Sequence, residues 1–235
     1  MNEVERAAIF NAQTENVREL ERAWQNINRQ INSLILAKDE KGVEVNSKML
    51  ALLYCALAEA TFSKLIHTPY CLPLLHVDVV KRAASECGIK QGWVTCAKLS
   101  VMRIGGAKTN HRSNVLKKLH ELINDYIFDP SLIRNKLAHG QWAVALNREN
   151  TAVNKDITQE IQSLDLIELY RRKKSLEKLA AILEDIVESP NRAHHRDYWL
   201  HVVELEDWQK KMSNWTMQKK IDSLFKKKKR TSRRA

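Results

Sequence analysis

Apolar side chains recur at steps of three and four residues through the first 37 residues, and this periodicity limits the folds that the chain can adopt. Such steps place side chains on one face of an α-helix, so residues 3 to 37 are predicted to form one long helix. The members of that face are Ile9, Val17, Leu20, Trp24, Ile27, Ile31, Leu34 and Ile35. Only six glycines and four prolines occur in 235 residues, which leaves few helix breakers elsewhere. We therefore predict an all-α fold.

The same reasoning predicts a helical bundle for the rest of the chain. The segment KMLALLYCALAEATFSKLIH is apolar nearly all round, which is typical of a central core helix, and Asn46 or Ser47 is predicted to cap it. Shorter helices are expected over residues 77 to 86 and 93 to 104. Asn110 or Ser113 is expected to begin the next helix.

Four segments follow from these helices. We predict an N-terminal helical extension over residues 1 to 44, a helical bundle over 45 to 189, a C-terminal helix over 190 to 225 and a disordered basic tail over 226 to 235. WAVALN and TAVNKDI, on either side of RENT, predict a small β-hairpin. Residues 219 to 234 contain nine basic residues and one acid, so they carry +8 of the net charge of +11.

Composition also bears on location and on metals. No run of eighteen apolar residues is present and the N-terminus does not resemble a signal peptide, so a cytoplasmic protein without a membrane partner is expected. The four cysteines show no C-x-x-C spacing, which argues against a zinc site or a disulfide framework. His194 and His201 are two helical turns apart and His195 is off their face, so a metal would need a further ligand. We predict no metal site and no cofactor.

The segment SLIRNKLAHGQW places Arg134, Asn135 and His139 in an otherwise apolar stretch. Asp129 as N-cap and Pro130 in the first turn predict the start of a short helix that Gly140 ends. Five steps of about 100° separate Arg134 from His139, so the two side chains do not stack on one face.

These residue types suit metal-free cleavage of RNA. Histidine can take and give a proton near neutral pH, and arginine offers a fork of donors to phosphate oxygens. A 2′-hydroxyl can then attack the adjacent phosphorus while a cation stabilises the developing negative charge. A plainer interpretation stays open, because a histidine at a helix C-terminus is favoured by the helix dipole alone.

The stretch LIRNKLAHGQW resembles the signature of the HEPN superfamily, in which an arginine is followed after four to six residues by a histidine and often directly by a polar residue. The helical context over roughly residues 45 to 185 is similar to the family's bundle. The resemblance implies a homodimer in which two motifs face each other, and metal-independent endoribonuclease activity. It implies that His139 transfers protons, that Arg134 holds the scissile phosphate, and that Asn135 positions the phosphate or orients His139.

The resemblance also suggests a place in toxin or antiphage defence systems, with an antitoxin or a defence regulator as a further partner. HEPN toxins that are neutralised by nucleotidyltransferase antitoxins carry His-x-Tyr at the end of the motif. Here His139 is followed by Gly140, Gln141 and Trp142, which argues against that antitoxin class.

Two further features leave alternatives open. Glu59 either supports Arg134 in the site or is a buried acid paired with a local Lys or Arg. The tail either binds the RNA backbone, serves as a nuclear-import-like run, or aids solubility; its basic members are Lys226, Lys227, Lys228, Lys229, Arg230, Arg233 and Arg234. A non-catalytic module that binds nucleic acid or protein, and a regulatory subunit of a separate effector, are the competing functional hypotheses.

Overall fold

A computed structural model describes residues 1–106 and 110–232, and it shows an all-α bundle. None of the described residues forms a β-strand. The described helices are α1 Glu3–Ala37, α2 Glu40–Ile66, α3 Leu74–Cys87, α4 Ile89–Val101, α5 His111–Ile123, a π-helix Asn124–Phe128, α6 Asp129–Ala138, α7 Lys155–Gln162, α8 Leu166–Glu188, α9 Ala193–Ser213 and α10 Met217–Ser232.

Helices α1 and α2 form a hairpin with a connection of only two residues. Lys38 adopts a left-handed conformation that ends α1 at the predicted place, and the Asp39 side chain accepts a hydrogen bond from the Gly42 N–H at the start of α2. The prediction that Asn46 or Ser47 caps this helix is therefore wrong, because both lie buried inside α2. The predicted segment boundary at 44/45 likewise falls within α2.

Helix α2 is the centre of the bundle, as its apolar sequence predicts. It packs against α1, α6 and α8, and Phe62 stacks on the α4 residue Trp93 with ring centroids 4.8 Å apart. By length and composition α2 could also cross a membrane, yet 56% of its apolar 18-residue segment is buried inside the bundle. Central helices of bundles commonly satisfy the same criterion.

The middle helices match their predicted positions within a few residues. Helices α3 and α4 meet at Gly88, and α5 begins directly after Asn110. The prediction that Asp129 is the N-cap of the motif helix is wrong, because Asp129 has helical dihedral angles. The chain instead runs from α5 through the π-helix into α6 without a break.

The predicted β-hairpin after the motif is reduced to one antiparallel bridge between Leu146 and Val153. The sequence TAVNKDI does not continue as a strand, because the Asn154 side chain accepts a hydrogen bond from the Ile157 N–H and caps α7. Helix α7 was not predicted.

The C-terminal region differs from its prediction in two ways. The single helix expected over 190–225 is interrupted after Ser213, and α10 begins at Met217 with the Thr216 hydroxyl accepting from the Lys219 N–H. Helix α10 extends to Ser232, so residues 226–232 are helical where disorder was predicted. Met217, Ile221 and Leu224 recur at helical spacing and pack against the core, and lysine is a good helix former. Arg233 and Arg234 lie outside the described residues.

Candidate active site

The motif helix α6 is entered through a π-helical turn whose cause is Pro130. Proline has no N–H and its ring crowds the carbonyl four residues earlier, so a regular helix cannot continue through it. The chain widens by one residue, and the Asp129 N–H bonds to the Asn124 carbonyl. The carbonyl that Pro130 cannot serve belongs to Tyr126, and the buried Tyr54 hydroxyl of α2 donates to it at 2.6 Å. Helix α2 therefore fixes the direction in which α6 leaves the turn.

The other end of α6 is closed as the sequence predicts. Gly140 adopts a positive φ of 77°, its N–H donates to the Leu137 carbonyl, and the Gln141 N–H donates to the Lys136 carbonyl. This pair of bonds is the Schellman arrangement, which satisfies the last carbonyls of a helix. The Trp142 indole donates to the Leu137 carbonyl at 2.9 Å and packs the returning chain against the core.

Arg134 is held by its neighbours. Its Nη2 donates to Glu59 Oε1 at 3.0 Å, and its Nη1 donates to Asn135 Oδ1 at 3.2 Å. The pair links α6 to α2 at the surface, with 38% of the Arg134 side chain and 46% of the Glu59 side chain exposed. Glu59 is thus an exposed partner of Arg134, and the alternative of a buried acid is wrong.

Arg134 borders a cleft of about 370 Å³ between α2, α6 and the junction of α3 and α4. Its wall includes Glu59, Asn135 and Lys90, whose Nζ lies 4.0 Å from the centroid of the Phe128 ring. Positive charge therefore comes from both sides of the cleft, and aromatic surface lies beside it. A phosphate or a nucleotide base is the kind of group that such a wall attracts.

The thiol at the base of this cleft is unsuited to nucleophilic chemistry. Cys55 is buried, burial raises the pKa of its thiol to about 12, and its Sγ lies 3.6 Å from the Pro130 carbonyl oxygen. A thiol must ionise to attack a substrate, so Cys55 contributes packing here. The reactive groups available at the motif are those of Arg134, Asn135 and His139.

His139 lies on a second groove, of about 820 Å³, that runs between α6 and the loop before α7. The groove is lined mostly by polar side chains, among them Lys136, Asn147 and Arg148. His139 is exposed, and its ring makes no hydrogen bond or ion pair with any residue that the structure describes. Its protons are therefore available to a ligand in the groove.

Asn135 connects the two halves of the motif. Asn135 and Leu132 line both the Arg134 cleft and the His139 groove, whereas Arg134 lines only the first and His139 only the second. This separation confirms the expectation that Arg134 and His139 do not share a face of the helix. Within one chain, the motif thus presents its cation and its proton-transfer group to adjacent but different spaces.

The remaining predicted site residues that the structure describes, Lys226 to Arg230, lie in α10, on a different part of the bundle surface. Helix α10 packs against α1 through its apolar face. Its basic residues from Lys226 to Arg230 are exposed, whereas Arg233 and Arg234 fall outside the described residues. No contact between this basic surface and the motif is part of the described structure.

Sequence reasoning missed two features that the fold brings into play. Lys90 joins the Arg134 cleft from a position 44 residues away, and no local pattern marks it. His111 lies beside His194 and His195, and one ring nitrogen of each lies within 4.8 Å of the others, a contact that the sequence did not predict. His201 does not belong to this cluster, and its Nε2 pairs with Asp185 at 3.2 Å instead.

Comparison of the chain with protein-family models, with curated proteins and with solved structures finds no match. The resemblance to HEPN domains therefore depends on the motif and on its helical context.

Proposed function

We propose that the chain is a metal-independent endoribonuclease of the HEPN type that cleaves RNA by 2′-hydroxyl transesterification. The observation that carries the proposal is the arrangement at α6. Arg134 is held in place at a cleft by Glu59, and the exposed ring of His139 ends the same helix with no partner among the described residues. A fixed cation and an accessible proton-transfer group are what this reaction needs.

Arg134 would bind the scissile phosphate. Its guanidinium keeps its charge at any working pH and offers paired N–H donors to two phosphate oxygens. Glu59 restricts the side chain before RNA arrives, so less rotamer freedom is lost on binding. The Asn135 side chain borders both spaces, so its amide can position the phosphate or orient His139.

His139 would transfer the protons. The 2′-oxygen attacks phosphorus as its proton passes to a neutral imidazole, and the bond from phosphorus to the 5′-oxygen breaks. The departing 5′-oxygen takes a proton from an imidazolium, which leaves a 2′,3′-cyclic phosphate and a 5′-hydroxyl. The imidazolium formed by the first transfer can donate this proton, so one histidine completes the proton balance.

A homodimer would bring the separated groups together. Arg134 and His139 line different spaces in one chain, so an Arg134 from one copy and a His139 from the other make the simplest complete site. Phe128 and Leu132 on this side of the bundle are more than a third exposed. Apolar side chains at such positions favour contact with a second copy.

The proposal is tested by incubating purified protein with total RNA in excess EDTA and analysing the new ends. We expect cyclic-phosphate ends from the wild type and a loss of about 10²–10⁴-fold in rate for His139→Ala, the usual contribution of a proton-transfer group. His76→Gln, a change on α3 away from both clefts, is the matched control and should cleave like the wild type. Equal cleavage by His139→Ala and the wild type would contradict the proposal.

A second candidate is a non-catalytic module that binds nucleic acid. The observation in its favour is α10, whose exposed basic residues form a continuous helical surface rather than a loose tail. Such a surface binds the nucleic-acid backbone without choosing a sequence. Binding that survives His139→Ala but is lost on deleting residues 226 to 235, with no cleavage by any variant, would favour this function.

A defence or toxin role, an antitoxin or regulatory partner, and a cytoplasmic location follow from the sequence and its resemblance alone. They stay predictions. Toxicity of the expressed chain to cells, relieved by His139→Ala, is the measurement that would support the first of them.

A further inference from the structure

Three histidines meet at a place that the proposed ribonuclease does not use. His111 is the first residue of α5, and His194 and His195 lie in the first turn of α9. The Nε2 atoms of His111 and His194 are 2.9 Å apart, and one nitrogen from each of the three rings lies within 4.8 Å of the others. Groups 83 residues apart in the sequence thus converge on one point.

The cluster is enclosed on one side and open on the other. His194 is fully buried and its Nδ1 has no hydrogen-bond partner among the described residues, while His195 is exposed and His111 is half-buried. Tyr198 covers the buried side, with its ring centroid 5.1 Å from that of His194. A small ion can therefore reach the rings from the solvent side of the cluster.

Two of the three imidazoles have lowered pKa values, which favours the neutral form that binds a metal. Burial, together with the neighbouring His111 and His195, lowers the pKa of His194 to about 4. Burial, with His195 beside it, also lowers the pKa of His111. Neutral rings keep a lone pair on one nitrogen, and a metal ion uses that lone pair without first displacing a proton.

The surrounding backbone orients the rings. The Nε2 of His195 lies 3.0 Å from the Gly105 carbonyl oxygen, to which it donates. Histidines that bind metals commonly donate from the other ring nitrogen to such a carbonyl, which fixes the tautomer and the ring orientation. The Gly105 N–H in turn donates to the Asn191 side chain at 2.6 Å, so the segment before α5 is tied to the start of α9 without any ion.

We propose that His111, His194 and His195 form a binding site for a divalent transition metal ion of the zinc class, with the fourth position open to water. Zinc binds histidine nitrogen at about 2.0–2.1 Å, so tetrahedral ligand nitrogens lie roughly 3.3 Å apart. The separations in the cluster bracket that value, and small rotations of exposed rings bring them to it. The ion joins the start of α5 to the start of α9 and stabilises the fold.

This site is independent of the proposed ribonuclease, whose reaction needs no metal. The test uses the full chain, treated with EDTA and then freed of chelator, and titrated with Zn²⁺ by calorimetry. Co²⁺ is titrated in parallel, because tetrahedral Co²⁺ bound by nitrogen gives a strong visible absorption. The variants are His195→Ala and His111→Gln, which change the exposed and half-buried members and leave the buried His194 in place.

The matched control is His201→Gln, which removes a histidine from the same helix α9, beside the carboxylates of Asp185 and Glu204. We expect one ion per chain in the wild type and in the control. Affinity should fall by roughly 100-fold or more in both cluster variants, since even the loss of an outer-shell partner costs about 10–100-fold. Zinc should raise the melting temperature of the wild type and of the control, but not of the cluster variants.

Three results would overturn the proposal. The wild type could take up no metal, which would leave the cluster a hydrogen-bonded packing feature. Affinity could be unchanged in His195→Ala and His111→Gln with circular dichroism showing a native fold. Affinity could instead be lost in His201→Gln, which would place the ion at Asp185 and Glu204. None of these results bears on RNA cleavage, which is measured in EDTA with His139 variants.

Discussion

Arg134 lies in α6 and His139 directly follows that helix, but the contacts of the two side chains differ. Arg134 contacts Glu59 and Asn135 and is held against α2. His139 is the C-cap of the helix, and its ring has no described partner. A group that binds a phosphate gains from being fixed in advance, and a group that exchanges protons must stay accessible. We call Arg134, which is fixed in advance, the prepared half of the motif, and His139, whose ring has no described partner, the incomplete half.

After the loss expected for His139→Ala, the next largest effect is expected at the prepared half. Arg134→Ala should lower RNA cleavage by about 10²–10³-fold, which is the scale of losing one charged donor to a developing negative charge. Arg134→Lys keeps the charge but not the paired donors, so its activity should fall between those of the wild type and the alanine variant. The measurement is the initial rate of cyclic-phosphate formation in EDTA.

The free energy of unfolding shows whether the loss of cleavage in the Arg134 variants is due to misfolding. The ion pair of Arg134 is exposed, so neither change should alter the free energy of unfolding by more than about 1 kcal/mol. If Arg134→Ala unfolds at a much lower urea concentration than the wild type, Arg134 is a structural residue, which contradicts its assigned role in binding the phosphate.

The next effect concerns the entry to α6. Tyr54→Phe removes the hydroxyl that serves the Tyr126 carbonyl beside Pro130, and it should cost about 1–2 kcal/mol in the free energy of unfolding. Tyr198→Phe is the control, because Tyr198 is a buried tyrosine whose hydroxyl makes no hydrogen bond to a described residue. Urea unfolding checks both variants. Equal costs would mean that the Tyr54 bond does not support the π-helical turn.

A smaller effect is expected at the incomplete half. Gly140→Ala places a side chain at a φ of 77°, where L-residues other than Asn and Asp are strained, so it should cost about 1 kcal/mol. No atom crowds the position, so backbone strain is the only cause. Gly140→Asn should cost less, because asparagine tolerates this conformation. Thermal unfolding of the two variants distinguishes strain from side-chain bulk.

The smallest effect is expected for Glu59, the ion-pair partner of Arg134. Glu59→Gln keeps the size of the side chain and removes its charge, and it should change stability by less than about 1 kcal/mol. Cleavage should fall several-fold, since Arg134 is then less restricted. Glu184→Gln is the matched control, because it breaks another surface ion pair, with Lys64, away from the motif. A larger loss of cleavage in the control would contradict the assigned role of Glu59.

The sequence predicts what depends on local chemistry. The end of α1 and the end of α6 at Gly140 lie where periodicity and the following residues predict them. Helix α5 begins directly after Asn110, one of two predicted starts, although the Asn110 side chain makes no capping hydrogen bond. Prediction from the sequence fails where one signal has two outcomes. Asp129 followed by Pro130 is a common helix start, but Tyr54 of α2 satisfies the carbonyl that Pro130 leaves, so the helix continues.

Long-range contacts are what the sequence could not supply. The pairing of Arg134 with Glu59 was one of two open interpretations, and only the packing of α6 on α2 decides between them. His111 gives no local sign of its approach to His194 and His195, because the packing of α5 and α9 places it there. The basic residues of α10 show no periodicity of their own, so their helix depends on the apolar residues that precede them.

The measurement that tests the account most directly mixes two inactive variants. Arg134→Ala and His139→Ala chains are combined, allowed to exchange subunits, and assayed for RNA cleavage in EDTA. If the site pairs Arg134 of one copy with His139 of the other, the mixed dimer contains one intact pair, and activity reappears in the mixture above that of either variant alone. A mixture that stays as inactive as its components, although subunit exchange is demonstrated, would contradict a site shared between two chains.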